Sequence, residues 1–150
     1  MSEIVKYKFQ ARWSDMDFNK HMTNTAFLSA SGDVRILFFE EHGFTSLEME
    51  KLMIGPVIMK DEIEYYREIR LSEHFEVHYI LAGLSEDGSR WRIHTIFYKA
   101  DGNKAAVITS SGGWMDLRKR CLIVPPDILR NVIDKLARSD DFEVLPCCAK

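Results

Sequence analysis

Val5, Tyr7, Phe9, Ala11 and Trp13 alternate with Lys6, Lys8, Gln10 and Arg12, and this period of two predicts a half-buried strand. A polar turn follows, Ser14-Asp15-Met16-Asp17-Phe18-Asn19-Lys20. The period then lengthens. Over 22–42, Phe27, Ala30, Val34, Leu37 and Phe38 recur at helical spacing, while Leu28, Gly32, Ile36 and Phe39 widen the apolar sector. Only Ser29, Asp33 and Glu40 form a polar strip. A helix apolar over most of its circumference is expected to be surrounded by other structure. Gly43 supplies a stop. Thr45 and Glu48 have the spacing of a capping box for a short helix running to about Met53.

Beyond Gly55-Pro56 the pattern is that of strands. Val57, Met59, Ile63, Tyr65 and Ile69 share one parity, and Phe75, Val77, Tyr79 and Leu81 share the next. Trp91, Ile93, Thr95 and Phe97 follow the turn Glu86-Asp87-Gly88-Ser89, and Ala100-Asp101-Gly102-Asn103 leads into a last strand over 104–117. These are hairpin signals at short loop lengths. Asp61 falls on the apolar parity of its strand. That position fits a contact with a neighbouring subunit, a place in the site, or a bulge that changes the parity. Pro125-Pro126 opens a final helix over 127–138. This order predicts an α+β fold: an antiparallel sheet of five or more strands wrapped around one long central helix, with a C-terminal helix. Such a sheet has open edges, and a homodimer or a dimer of dimers covers them.

The length of 150 residues suits a single domain over 1–150, large enough for a core without metals or disulfides. The net charge of −3 and a single short basic cluster, Arg118-Lys119-Arg120, give no duplex-sized basic face, so no nucleic-acid partner is expected. Three cysteines, Cys121, Cys147 and Cys148, make no disulfide framework and have no zinc-finger spacing. They read as reduced thiols. The N-terminus lacks the signature of a signal peptide, and no apolar run is long enough to span a bilayer. The expected location is cytoplasmic. No Gly-x-Ser-x-Gly, metal-ligand spacing, phosphate loop or dinucleotide fingerprint occurs.

Candidate chemistry centres on Asp17, a carboxylate in the short loop before the long helix. The start of a helix presents unpaired N–H groups and a partial positive charge, which can hold a developing oxyanion. On these residues alone, helix capping is the simpler role for an aspartate at this place.

The segment Arg12-Trp13-Ser14-Asp15-Met16-Asp17-Phe18-Asn19-Lys20-His21-Met22-Thr23-Asn24 resembles a known family pattern: an aromatic residue, Asp-x-Asp, a short loop, then Gly-His-x-Asn-Asn opening a helix. That pattern belongs to the hotdog-fold thioesterases of the hydroxybenzoyl-coenzyme A thioesterase type and their acyl-CoA thioester hydrolase relatives. Gly55-Pro56-Val57 with Ile63-x-Tyr65-x-Arg67, and Trp114-Met115-Asp116-Leu117-Arg118 followed by Pro125-Pro126-Asp127, extend the likeness from about Tyr7 to Leu136. There are departures. Lys20 and Ser72 stand where glycine is common, Thr23 replaces the first asparagine, and Glu68 stands where proline is usual.

The resemblance implies hydrolysis of an acyl-CoA thioester to a free acid and coenzyme A. It needs no metal or redox cofactor, coenzyme A being part of the substrate. It makes Asp17 catalytic, as a general base on water or as the attacking group, with a backbone N–H near Asn24 as oxyanion donor. His21 is a second catalytic candidate or an organiser of the loop. Asn24 orients substrate or water, or caps the helix. Tyr65 and Arg67 are pocket or interface residues, core packing being an equal reading for Tyr65. Arg118 and Lys119 suit the phosphates of coenzyme A at a pocket mouth, or form a solvated basic turn. Arg35, on the apolar side of the helix, suits an ion pair or snorkelling. Two other functions share the scaffold: hydration or dehydration of an enoyl thioester by Asp17 and His21, and non-catalytic binding of an acyl thioester or lipid.

Overall fold

The structure is a computed structural model and describes residues 3–147, so Cys148 lies outside the described residues. The elements are β1 (Val5–Gln10), α1 (Asn24–Glu41), α2 (Ser46–Leu52), β2 (Ile54–Tyr65), β3 (His74–Ser85), β4 (Arg90–Lys99), β5 (Lys104–Asp116), β6 (Cys121–Ile123), α3 (Asp127–Asp134) and β7 (Arg138–Leu145). They form a seven-stranded sheet in the order β1-β3-β4-β5-β2, with β6 beside β5 and β7 beside β3. All pairings are antiparallel except that of β7 with β3.

The alternating strands turn their large residues one way. Phe75, Val77, Tyr79 and Leu81 of β3 and Trp91, Ile93, Thr95 and Phe97 of β4 are all buried. Against this face lies α1, whose rings reach four strands. Phe27 meets Phe97 of β4 and Tyr65 of β2, Phe38 meets Tyr79 of β3, and Phe39 meets Trp114 of β5. Val34 and Phe38 are fully enclosed, and truncating a core phenylalanine to alanine costs about 3–5 kcal/mol. Arg35 tucks against the buried hydroxyl of Tyr79, and its Nε is buried without a hydrogen-bond partner. Burial pushes the Tyr79 hydroxyl up to about 12, against the opposing pull of that guanidinium. Ser29, Asp33 and Glu40 are exposed as expected, but so are Ile36 and Leu37, so a single chain leaves part of the apolar sector of α1 open.

Three sequence expectations need correction. The first strand stops at Gln10. Asp15 binds the Arg12 N–H and side chain, which turns the chain into a 3-10 helix at Trp13–Asp15 and leaves Trp13 80% exposed. The parity of β2 changes midway, because a bulge falls between Ile58 and Lys60. Ile54, Ile58 and Ile63 pack on the core, and Asp61, next to the bulge, accepts the Ser110 hydroxyl at 2.5 Å. The bulged strand presses against Gly112, where a Cβ would stand 2.0 Å from the Val57 carbonyl and 2.8 Å from the Trp91 ring.

The final helix ends at Asp134, and Arg138–Leu145 is a strand. Once Leu129, Val132, Ile133 and Leu136 are buried, the Ala137 carbonyl accepts the Leu81 N–H at 2.9 Å, and the chain pairs with β3. Its acidic residues are used on the outer face of the sheet. Glu143 pairs with Arg92 and Asp141 with His94, whose Nδ1 lies 2.9 Å from the Thr109 hydroxyl. Among the described residues, no helix is long and apolar enough to cross a membrane.

Candidate active site

The loop between β1 and α1 is held by its own backbone. The Asp17 N–H donates to the His21 carbonyl at 2.8 Å, and the Lys20 N–H to the Asp17 carbonyl at 3.0 Å. A turn this tight needs a left-handed residue, and Lys20 supplies it at φ 67°. This explains glycine at that position in the family pattern: the lysine keeps the glycine conformation at a cost of roughly 1–2 kcal/mol. Ser72 does the same at φ 68°.

Within this loop the Asp17 carboxylate is exposed yet oriented. Its Oδ1 accepts the N–H groups of Asn19, at 2.8 Å, and His21, at 3.1 Å. The second oxygen accepts no hydrogen bond among the described residues. Helix capping falls to Thr23, whose hydroxyl accepts the Ala26 N–H at 3.0 Å. Thr23 also donates its N–H to the Asp15 carbonyl at 2.8 Å. Asn24 is the first residue of α1, so its N–H belongs to the set a helix leaves unpaired. Asp15 is a structural partner. Burial alone would raise its carboxyl, but the side-chain and backbone hydrogen bonds from Arg12 hold it below the usual range.

The segment between β2 and β3 forms the wall of the loop. The Met22 N–H donates to the Ile69 carbonyl at 2.8 Å, His21 bridges Arg70, and the His21 ring lies 3.9 Å from the Glu68 carboxylate. Tyr65 stands edge-on to Phe27 at 5.6 Å, half-exposed, one helical turn into α1. Burial raises its hydroxyl pKa. Arg67 is exposed, with its N–H on the Ala105 carbonyl. Asp17, His21, Asn24 and Tyr65 therefore lie around the start of α1, whereas Arg67 sits beside the start of β5 and its charge acts on Asp101 in the β4–β5 turn.

Arg118 and Lys119 do not join them within one chain. Their N–H groups bind Asp116 at the far end of β5, beyond Trp114, which touches Phe39 near the C-terminal end of α1. The 18 residues of α1 separate the two regions by about 27 Å. Glu68 was not among the expected site residues. Its departure from proline was the available signal, but no local pattern says that it meets His21.

One helix seated on the concave side of a curled antiparallel sheet, with its start beside an Asp-bearing loop, is the hotdog architecture. A family model described as the thioesterase-like superfamily matches residues 11–133, and the chain belongs to that superfamily. Among curated proteins none is significantly similar in sequence.

Solved structures share the fold. A hypothetical protein of Staphylococcus aureus in complex with CoA is 17% identical, with a TM-score of 0.83 over 99% of this chain and 92% of that one. A 1,4-dihydroxy-2-naphthoyl-CoA thioesterase from Synechocystis is 11% identical, with a TM-score of 0.78 over 88% and 96%. A DHNA-CoA thioesterase from Staphylococcus aureus is 15% identical, with a TM-score of 0.79 over 88% and 89%.

Proposed function

We propose that this chain hydrolyses the thioester of an acyl-CoA, with Asp17 as the reacting carboxylate. One observation carries the reading: two backbone N–H groups hold a single oxygen of Asp17, which leaves the other available at the start of α1. That oxygen takes a proton from water as the water attacks the thioester carbon, or it attacks the carbon itself. The carbonyl oxygen becomes an oxyanion beside the unpaired N–H groups of the helix start. One such donor lowers the barrier by roughly 3 kcal/mol. The tetrahedral intermediate then expels the coenzyme A thiolate. On the covalent route, water hydrolyses the resulting anhydride to the free acid.

A single chain offers this site little shelter. Phe18, next to Asp17, is 100% exposed, and Trp13 and Tyr65 are also open. β2 is the free edge beside Tyr65. In the reading advanced here, two copies pair along β2 about a two-fold axis. Such pairing is antiparallel, so the Ile54 end of one β2 lies by the Tyr65 end of the other. The turn carrying Arg118 and Lys119 is hydrogen-bonded to the start of β2 through Leu117 and Met53. It then approaches the other copy's Asp17 loop, where it can meet the phosphates of coenzyme A. The proposed location of the protein is the cytoplasm.

The test is thiol release from short, medium, long and aromatic acyl-CoAs, with sedimentation velocity to read the assembly. A hydrolase releases thiol from at least one of them, and the protein sediments as a dimer or larger. Tight acyl-CoA binding without thiol release supports a binding module instead. Loss of the enone absorbance of crotonyl-CoA without thiol release supports a hydratase.

A further inference from the structure

Glu68 lies in the connection between β2 and β3, where the family pattern commonly has proline. Its two carboxylate oxygens have separate neighbours. Oε1 accepts from Arg70 at 3.0 and 3.3 Å, and Oε2 lies 3.9 Å from Nε2 of His21. Its backbone carbonyl accepts the Lys99 ammonium at 2.7 Å, and Lys99 also pairs with Glu73 at 3.3 Å. A cation therefore holds each end of the residue. The hydrogen bonds from Arg70, then the charge of His21, keep the carboxyl below its ordinary range.

The residues that follow continue the contact. Ile69 accepts the Met22 N–H, and Arg70 forms a backbone bridge with His21. His21 in turn gives its own N–H to Oδ1 of Asp17. The path from Glu68 to the Asp17 carboxylate is two contacts long and passes through His21.

We propose that Glu68 is a positioning residue: by pairing with the His21 ring it fixes the loop whose N–H aims Asp17 at the thioester. This rests on the reading of Asp17 as the reacting carboxylate. Glu68 itself touches no substrate. A carboxylate–imidazole contact, ionic only when His21 is protonated, here takes the place of the stiff backbone that proline provides in the family pattern. Both partners are about two-fifths exposed, so water and salt screen the pair, and its removal is expected to lower kcat roughly two- to fivefold.

A double-mutant cycle tests it, using thiol release from one acyl-CoA by the wild type, Glu68→Gln, His21→Gln and the double variant. Melting temperatures and Asp17→Asn run alongside. Glu68→Gln should lower kcat with KM and melting temperature unchanged. Glu68→Asp should recover part of the loss. In the His21→Gln background, Glu68→Gln should do nothing further. The same loss in both backgrounds would show that Glu68 does not act through His21 and would overturn the proposal. So would a raised KM at constant kcat, or no effect of Glu68→Gln at all. If Asp17→Asn turns over at the wild-type rate, the Asp17 reading itself falls and takes this one with it, so the two failures are distinguishable.

Discussion

Asp17 and Asp87 sit in the same local motif but in different surroundings. Each aspartate folds back to accept the N–H two residues on, Asp17 from Asn19 at 2.8 Å and Asp87 from Ser89 at 3.0 Å. Asp87, half-buried in the turn between β3 and β4, also accepts the hydroxyls of Ser89 at 2.6 Å and Ser85 at 2.8 Å. Led by the Ser89 hydroxyl, these bonds pull its carboxyl down to about 2. Asp17 stands in the open, takes only backbone donors, and takes them on one oxygen. A carboxylate saturated by hydroxyls is a weak base that fastens a turn. One that is oriented but bonded on a single oxygen keeps the other for the base or nucleophile that the proposed reaction requires. The residue type and the turn are common to both, so the surrounding donors make the difference.

The sharpest way to break this contrast is to neutralise each aspartate. Asp17→Asn keeps the shape and removes the charge on which the proposed mechanism depends. Thiol release should fall by about a hundredfold or more, with the melting temperature nearly unchanged. Equal losses of rate and stability would mean that Asp17, like Asp87, is structural.

The opposite end of α1 should respond in binding rather than turnover. Replacing Arg118 and Lys119 together by glutamine should raise KM about tenfold, the worth of two screened phosphate contacts, with kcat little changed. A fall in kcat at constant KM would argue against phosphate binding by that turn.

Asp87→Asn should leave kcat intact and destabilise the fold by roughly 1–2 kcal/mol at neutral pH, after allowing for screening of a partly exposed group. The folded pKa of Asp87 lies below the ordinary 3.8, so its stabilisation is full above about pH 4 and disappears as the pH falls through about 2. Denaturation curves of variant and wild type should converge across that window. A gap that persists at pH 2 would show that the charge is not what matters.

The smallest expected effect concerns backbone strain. Ser72→Gly relieves a left-handed φ of 68° and should stabilise by about 0.5–1 kcal/mol, net of the added chain entropy of glycine. Lys20→Gly should behave alike in stability. Its position inside the Asp17 loop makes activity the more telling readout. Unchanged activity would show that the loop holds its form without the lysine side chain.

Much of the fold was legible in local periodicity. The parities of β3 and β4, the extent of α1 within two residues at each end, the Thr45 cap of α2 and both hairpin turns follow from patterns a few residues long. Legibility failed where the competing forces were not local. The helix signal over 127–138 continues past Asp134, yet β3 offers a free stretch beyond the end of β1 and a glycine, Gly83, against which Leu145 fits closely. The apolar residues of β2 alternate as if the strand were regular, yet the close approach to Gly112 coincides with a bulge that reverses the faces. The loop departures were visible, but only φ shows that Lys20 and Ser72 keep a glycine conformation.

The amino-acid order alone determined an antiparallel sheet around one apolar helix and placed an acidic loop at the start of that helix. Both are consequences of spacing between near neighbours, which a linear pattern records. Tertiary structure decided which oxygen of Asp17 is hydrogen-bonded, that Glu68 meets His21, that Arg138–Leu145 is a strand, and that Arg118 and Lys119 lie a helix length from Asp17. Those are distances between residues far apart in the chain, set by how the sheet curls and where its strands end, and no local periodicity encodes them.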